Sequence, residues 1–354
     1  MFKGTIFDNR YASTQHKVPF SDKIVNNDID AYEKYPKYNY LYNKLWVAKT
    51  QNLQCNIMDN PPTKDLYPVF IKPIINLRGA NLDCFKIHNE REYNKYKDRK
   101  DLFWCEYIDK NEGSTDFIID NGVILFELTY NIENEKGDFL QTITKISPSN
   151  QCPHKVKEWL KKHTKGYSGI INLQYRGDMV IECGLRFDSG GNFIQYTNNK
   201  KIIQTINNYY ETGKWNYLTK EEFHFNDVYQ NACFCFYPTI YYIPAPIVIL
   251  LCSLFNINYF KFYIDNGKNH FIFLTIADSD KTKLERTKYT FEWMMRVLNW
   301  FFILGFITLF YTSFSLYPRL KKKQKTQFIF YSSIFIVAYL TRFLNPPKYI
   351  RRII

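Results

Sequence analysis

The chain has 354 residues, enough for one large domain or two smaller ones around a sizeable core. Its formal net charge of +13 at pH 7 favours anionic partners such as nucleotide phosphates, nucleic acids or a lipid surface, without choosing among them. The eight cysteines lack metal-ligand spacing, and Cys233-Phe-Cys235 fits neither a zinc knuckle nor a CxxC redox motif. The amino terminus has no apolar signal region, so we expect reduced cysteines in a protein that faces the cytosol.

The amino-terminal third of the chain predicts short helices and strands in alternation. Residues 1–37 form a polar, Tyr-rich segment without clear periodicity. From Tyr40 the stretch YLYNKLWVAKTQNL places apolar residues on one helical face, and Pro61-Pro62 ends it. Strands follow at YPVFIKP, CFKI and DLFWCEYI, with a short helix expected at about Glu90 to Tyr96.

Hairpin signals dominate the next part of the chain. Asn121-Gly122 separates the strands STDFIID and VILFELTYNI, and this dipeptide is a strong signal for a two-residue hairpin. PHKVKEWLKKHTK predicts a basic amphipathic helix with Pro153 at its start. The strands GIINLQY and MVIECGLRF come next, and a helix from about Lys200 should end near Gly213. The order predicts an α+β fold whose sheets are largely antiparallel hairpins.

Two long apolar runs, the second interrupted only by Arg342 near its end, predict a transmembrane hairpin at residues 297–345, followed by a basic tail at 346–354. The runs 299–317 and 328–344 approach the roughly 20 apolar residues that a spanning helix needs. The basic linker between them belongs in the cytosol by the positive-inside rule, although the outer flanks are basic too. We expect a multi-pass protein of a viral or host endomembrane whose large amino-terminal domain faces the cytosol.

Residues 216–290 carry no chemistry that the sequence identifies. The apolar run 240–255 within them is interrupted by Pro244 and Pro246. We therefore expect it to belong to a globular core rather than to cross a membrane.

Lys72 is unusual because it stands in the middle of the otherwise apolar strand VFIKP. A buried ammonium is costly unless it is paired, so Lys72 either meets a carboxylate or extends to solvent, or it neutralises a phosphate. The phosphate reading also needs a loop with free backbone amides, and LRGAN around Gly79 supplies part of one.

A second polar group lies on the hairpin formed by GIINLQY and MVIECGLRF. Strand alternation places Asn172 and Gln174 on one face, and Glu182, Gly184 and Arg186 on one face of the partner strand. A carboxylate, an amide oxygen and a guanidinium on one surface suit Mg²⁺ together with a triphosphate.

These segments resemble the ATP-grasp superfamily over roughly residues 38–215. They are most similar to the ATP-grasp-like proteins of large DNA viruses and phages, through YPVFIKPIINL, the FW-x-EY segment and IEC-x-LR. The resemblance implies a small lysine-bearing β-subdomain and a larger antiparallel subdomain that together bind ATP and Mg²⁺. It also implies a ligase in which ATP phosphorylates a carboxylate of unknown identity, which an amine or thiol then attacks.

The resemblance further implies a role for each matching residue. Lys44 would contact the α-phosphate, and Lys72 the α- and β-phosphates. Gly79 would belong to the loop that covers the phosphates. Glu106, Tyr107 and Ile108 would contact the adenine, and Glu112 would contact the ribose. Gln174 and Glu182 would hold the metal, and Arg186 would steady the transferred phosphoryl group as the catalytic residue.

The chain departs from the family pattern at two positions. Gly184 replaces the Asn of Glu-x-Asn-x-Arg, which removes a metal ligand, and Asp83 stands near the place of a second loop glycine. These departures keep an alternative open, in which a degenerate ATP-grasp scaffold acts as a structural or recruiting protein at a viral or endomembrane surface. Nucleic-acid binding ranks third, because core packing explains the 18% aromatic residues and no RRM or zinc-finger signature occurs.

Overall fold

A computed structural model describes residues 18–77, 83–134, 142–235, 245–266 and 271–316. The loop residue Gly79 and the apolar run 328–344 lie outside these residues. The chain divides into two compact units, Thr14–Gln230 and a second unit that includes everything from Asn231 onward. All described candidate residues belong to the first unit.

The first unit begins with short helices that are defined by asparagine caps. Helix α1 spans Asp28–Lys34, a 3-10 turn spans Pro36–Tyr42, and α2 spans Lys44–Lys49. The side chain of Asn27 accepts from the Asp30 amide, and that of Asn43 accepts from the Trp46 amide. The predicted helix from Tyr40 therefore starts only at Lys44, and it ends at Lys49, before strand β1 and well before Pro61-Pro62. Its prediction failed at the start because the cap at Asn43 separates the 3-10 turn from the helix.

A four-stranded antiparallel sheet follows, built from β1 (Cys55–Ile57), β2 (Val69–Pro73), β3 (Phe85–Ile87) and β4 (Leu102–Glu106). The strand order is β1-β4-β2-β3, and the short helix α3 (Glu90–Tyr93) lies between β3 and β4 in the chain. Its core consists of buried apolar side chains: Met58, Val69, Ile71, Ile87, Tyr93, Leu102 and Trp104. The three strands and the helix predicted for this region are confirmed.

The larger sheet of this unit contains β5 (Glu112–Asp120), β6 (Val123–Asn134), β7 (Thr142–Ile146), β8 (Gly169–Arg176) and β9 (Met179–Gly184). These strands are antiparallel in the order β7-β6-β5-β8-β9. Asn121 and Gly122 both have positive φ, at 48° and 80°, as a tight hairpin turn requires. The prediction of an α+β fold with antiparallel hairpin sheets is confirmed.

Helices complete the first unit: α4 (His154–His163), α5 (Asn192–Tyr196), α6 (Lys200–Thr212) and α7 (Lys220–Phe223). Pro153 precedes α4 and Gly213, at φ 72°, ends α6, as predicted. The buried face of α4 packs with one face of the sheet in a core that includes Val156, Leu160, Phe117, Ile171 and Leu173. Side chains of the intervening residues therefore point to the opposite face.

The second unit contains β10, which spans Val228–Cys235, then α8 (Ala245–Leu254), β11 (Tyr259–Asn266), β12 (Phe271–Asp278) and α9 (Lys281–Leu316). Strand β12 pairs with β11 on one side and neighbours β10 on the other. The apolar run 299–317 coincides with the second half of α9 as far as Leu316. Across the described residues, no helix is both long enough and apolar enough to traverse a membrane.

Replacing Ile71 by Ala should lower the free energy of unfolding by about 2–5 kcal/mol, because the side chain is fully buried and its removal leaves a cavity. The matched control is Ile75→Ala, four residues along, where the side chain is 44% exposed and the change should stay within about 0.5 kcal/mol. Urea unfolding followed by circular dichroism measures both. Equal effects at the two positions would contradict the described core of the small sheet.

Candidate active site

Two lysines from separate segments reach the same short stretch of β9. Lys44 opens α2, and its Nζ forms an ion pair of 2.7 Å with Oε2 of Glu182. Lys72 lies in β2, and its Nζ donates to the Ile181 carbonyl at 2.9 Å. The Lys44 amide also donates to the Ile74 carbonyl at 2.8 Å, which holds the start of α2 against the end of β2. Both ammonium groups therefore converge on β9, although the lysines are only 5% and 7% exposed.

The thiol of Cys84 lies close to the same charges. Burial raises the pKa of Cys84, whereas the nearby Lys44 and Lys72 lower it in part and Glu182 raises it further. The residue stands just before β3, five positions after Gly79 in the sequence. The described end of the predicted phosphate loop thus approaches both lysines.

A row of polar side chains crosses the face of the sheet opposite to α4. Register pairs Ser114 of β5 with Gln174 of β8, and Gln174 with Glu182 of β9. The next row pairs Asp116 with Asn172, and Asn172 with Gly184. We call the five polar residues the polar strip; they are Ser114, Asp116, Asn172, Gln174 and Glu182. Directly opposed residues have Cβ atoms about 4.5–5.5 Å apart, so Gln174 and Glu182 can present oxygen atoms to one cation.

Asp116 is the fully buried centre of a hydrogen-bond network. It accepts from the Tyr130 hydroxyl, from Nδ2 of Asn172 at 2.9 Å and from the Asp188 amide at 2.9 Å. Burial raises the pKa of Asp116 to about 7 and the Asp188 carboxylate adds to the rise, while the three donors oppose it. Ser114 joins the network by donating to Asp188 at 3.0 Å. Sequence alternation within STDFIID could have placed Asp116 in the site, because it lies two residues after Ser114.

Arg186 follows β9 and is held by an acidic residue from α1. Its Nη2 lies 2.7 Å from Oδ2 of Asp28, and its Nη1 donates to the Phe187 carbonyl at 3.1 Å. Burial alone would lower the pKa of Arg186, but the carboxylates of Asp28, Asp188 and Glu182 raise it above its usual value. Asp28 carried no signal in the sequence, since it belongs to a segment without periodicity.

The predicted adenine and ribose residues form a separate group around Arg176. The Arg176 guanidinium pairs with Glu112 at 2.9 Å and donates to the Ile108 carbonyl at 3.4 Å. It also lies 6.0 Å from the ring centroid of Tyr107, and Nζ of Lys86 lies 3.7 Å from the same centroid. The carboxylate of Glu106 instead accepts from the Gln54 amide at 3.4 Å. Sequence reasoning missed Arg176 because a hairpin-turn arginine is normally solvated.

Asp83, whose charge would repel phosphates, is paired with an arginine. Its carboxylate forms an ion pair of 3.2 Å with Arg99, which also pairs with Asp101 at 2.7 Å. Asp83 has a positive φ of 57°, which explains why a glycine would also suit this position. The charge of Asp83 is therefore compensated locally.

The acidic side chains of the described residues do not form a complete metal site by themselves. No group of three or more His, Cys, Asp or Glu among the described residues could hold one. Mg²⁺ commonly uses one or two carboxylates, substrate phosphates and water, so the polar strip suits a metal that arrives with a phosphate ligand.

No protein-family model matches the chain, and no curated protein matches its sequence. An L-amino acid ligase from Bacillus licheniformis has a similar solved structure, with 13% identity, a TM-score of 0.45 and coverage of 71% of this chain and 70% of that chain. An N5-carboxyaminoimidazole synthetase from Staphylococcus aureus complexed with ADP has 12% identity, a TM-score of 0.45 and 71% coverage of both chains. A phosphoribosylamine–glycine ligase from Thermotoga maritima has 10% identity, a TM-score of 0.41 and coverage of 76% and 75%. Likeness at this distance carries no argument about the ligands or activity of this chain.

Replacing Asp116 by Asn should make stability less sensitive to pH. The folded-state pKa of about 7 exceeds the unfolded value of about 3.9, so the stability from protonated Asp116 is complete below the unfolded pKa and is lost as pH rises through 7. As pH rises, the unfolding free energy of the wild type should therefore fall more than that of the variant, so the variant gains stability relative to the wild type.

Urea unfolding at a series of pH values measures this difference. The matched control is Asp98→Asn, which removes one carboxylate at an exposed position. A difference between wild type and Asp116→Asn that does not change with pH would show that the buried carboxylate stays ionised.

Proposed function

We propose that the unit Thr14–Gln230 binds Mg·ATP along the polar strip, as an ATP-grasp-type protein that joins a carboxylate to an amine or thiol. One observation carries the proposal: two buried ammonium groups meet at Ile181 and Glu182 on β9. Charge-assisted contacts from Lys44 and Lys72 suit the phosphates of a nucleotide better than an uncharged ligand.

Lys72 supplies the strongest part of this argument. Its Nζ bonds to a neutral carbonyl, and among the described residues no carboxylate lies within ion-pair distance. The side chain is only 7% exposed, and a charge removed from water to that extent needs a counter-charge. A phosphate oxygen in contact with Lys72 would provide it.

The residues of β8 and β9 fit a metal that accompanies the phosphates. Glu182 and Gln174 face each other and offer the oxygen ligands that Mg²⁺ prefers. Glu182 now pairs with Lys44; a phosphate that takes over Lys44 would leave this carboxylate free for the metal. Bound Mg²⁺ would neutralise charge on the phosphates during transfer.

The chain would contribute positioning and charge neutralisation to the reaction. Attack of the substrate carboxylate on the γ-phosphorus would release ADP and form an acyl-phosphate, from which an amine or thiol would displace phosphate. Arg186, oriented by Asp28, would stabilise negative charge on the transferred group. Tyr107 and Ile108, held near Arg176, would line the adenine side, with Glu112 towards the ribose.

A specific observation also favours the alternative of a degenerate scaffold. The cations are largely satisfied within the protein, because Lys44 pairs with Glu182 and Arg186 pairs with Asp28. A protein that binds no nucleotide could keep these pairs as purely structural contacts at a viral or endomembrane surface. Nucleotide binding separates the two functions.

We further propose that the carboxyl-terminal region anchors the protein to a lipid membrane, with the first unit in the cytosol. The second half of α9 lacks charged residues from Asn299 to Leu316. Large apolar side chains on it are exposed: Trp300, Phe301, Leu304 and Tyr311. Lipid contact would remove this surface from water.

Saturating Mg·ATP should stabilise the detergent-solubilised protein by about 2.7 kcal/mol at one hundred times Kd. Lys72→Met and Lys44→Met should abolish this gain, because each removes a cation that the phosphates require. Differential scanning fluorimetry with ATP measures the shift in melting temperature.

Lys49→Met is the matched control for Lys44→Met, since Lys49 ends the same helix and is exposed. This control should respond to Mg·ATP like the wild type. A wild-type protein that no nucleotide stabilises at millimolar concentration would favour the scaffold alternative.

A chain truncated after Arg296 should lose membrane association, because the apolar half of α9 and everything beyond it are removed. Alkaline carbonate extraction of membranes from expressing cells measures the effect: full-length protein should stay in the pellet and the truncated protein should move to the supernatant. Recovery of the full-length protein in the supernatant would contradict the proposed anchor.

A further inference from the structure

Asp28 presents a buried oxygen atom that lacks a partner in the described part of the chain. The side chain is 9% exposed, and only Oδ2 is engaged, with Arg186 at 2.7 Å. Oδ1 is buried and forms no hydrogen bond with the described residues. A buried, unsatisfied carboxylate oxygen costs free energy, so it marks a place where a ligand belongs.

Gly184 creates the space that this oxygen occupies. A Cβ atom at position 184 would lie 3.0 Å from Oδ1 of Asp28, which is tighter than nine in ten real Cβ contacts. The glycine is not required by its backbone, since position 184 has no positive φ. The absence of a side chain at position 184 therefore leaves room for the Asp28 carboxylate at the end of β9.

The oxygen lies beside the proposed metal ligands. Gly184 and Glu182 point to the same face of β9, with their Cα atoms about 6.8 Å apart along the strand. Gln174 lies opposite Glu182 on the same face. An oxygen above Gly184 can thus share a small cation with these two residues.

Charged groups of both signs surround this oxygen. Three carboxylates act on the Arg186 guanidinium: those of Asp28, Asp188 and Glu182. Lys44 neutralises one of them by direct contact with Glu182. Lys72, which also lies beside β9, adds a third cation to Lys44 and Arg186, so Mg²⁺ would enter together with the negatively charged phosphates of a nucleotide.

We propose that Asp28 is a metal ligand supplied from α1 in place of the Asn that the Glu-x-Asn-x-Arg pattern has at position 184. The carboxylate would hold Mg²⁺ through Oδ1 while Oδ2 keeps Arg186 in position. This inference rests on the proposed function, because Glu182, Gln174 and a nucleotide phosphate complete the coordination. The metal ligand that β9 lacks at position 184 would thus be supplied by α1.

Asp28→Asn tests the proposal with little change in shape, because the amide oxygen can still accept from Arg186. The metal is read as Mn²⁺, whose free concentration is measured by electron paramagnetic resonance in the presence of saturating ADP. We expect the affinity for Mn²⁺ to fall at least about tenfold. ADP affinity in EDTA, which depends on Lys72, should not change.

Asp30→Asn is the matched control, since Asp30 is exposed on the same helix. It should bind Mn²⁺ like the wild type. The double variant Asp28→Ala with Gly184→Asp moves the carboxylate onto β9 and gives Arg186 a new partner, so it should recover Mn²⁺ binding. If Asp28→Asn does not fold, the folded double variant decides: Mn²⁺ binding supports the proposal, and its loss overturns it.

The remaining outcomes separate this inference from the proposed function. Unchanged Mn²⁺ affinity in folded Asp28→Asn overturns the role of Asp28 and leaves nucleotide binding intact. A wild type that binds ADP in EDTA but binds no Mn²⁺ does the same. A wild type that binds no nucleotide under any condition overturns the proposed function, and the metal site with it.

Discussion

The need to compensate buried charge governs this site. Lys44 and Lys72 lie almost wholly out of water, where an isolated ammonium costs several kcal/mol. Glu182 meets the first lysine directly, whereas among the described residues the second donates to a backbone carbonyl of the neighbouring residue and pairs with no carboxylate. Strand β9 therefore has two roles. The carboxylate of Glu182 stabilises α2 by pairing with Lys44, and the strand brings the ammonium groups of Lys44 and Lys72 to neighbouring residues. A phosphate ligand would compensate the charge that the protein leaves on Lys72.

Strand register converts this local constraint into a site. One face of β5, β8 and β9 belongs to the apolar core under α4, so every second side chain is left for the other face. The polar strip lies on that face, and its side chains hydrogen-bond across the strands, from Ser114 and Asp116 to Asn172. The network limits the movement of these side chains. A one-residue shift of register would bury the polar strip in the core, so the apolar face also protects the site.

Position 184 is where α1 lies close to β9 within the described site. Under the proposed metal site, an oxygen from α1 takes the place that a side chain at this position would occupy. A strand residue that points towards a metal can be replaced by glycine if another element supplies an oxygen in the vacated space. Here α1 approaches the end of β9, and the Asp28 carboxylate lies where a side chain from position 184 would begin. The same carboxylate orients Arg186, so one residue connects the amino-terminal helix with both the acidic and the basic parts of the site. The sequence pattern lacks a polar side chain at position 184, whereas in the structure a carboxylate oxygen of Asp28 lies beside that position.

The sequence alone determined strands β2 to β6, β8 and β9, the hairpin at Asn121-Gly122, the start of α4 and the end of α6, and the shared face of Gln174 and Glu182. Those features depend on periodicity, turn chemistry and alternation, which act over a few residues. Only the tertiary structure decided that Lys44 reaches Glu182, that Asp83 turns to Arg99, that Arg176 gathers Ile108 and Glu112, and that Asp28 covers Gly184. These contacts join segments far apart in the chain, so their geometry depends on how sheets and helices pack. No local pattern encodes that packing, and for this reason the polar α1 segment gave no sign of its place in the site.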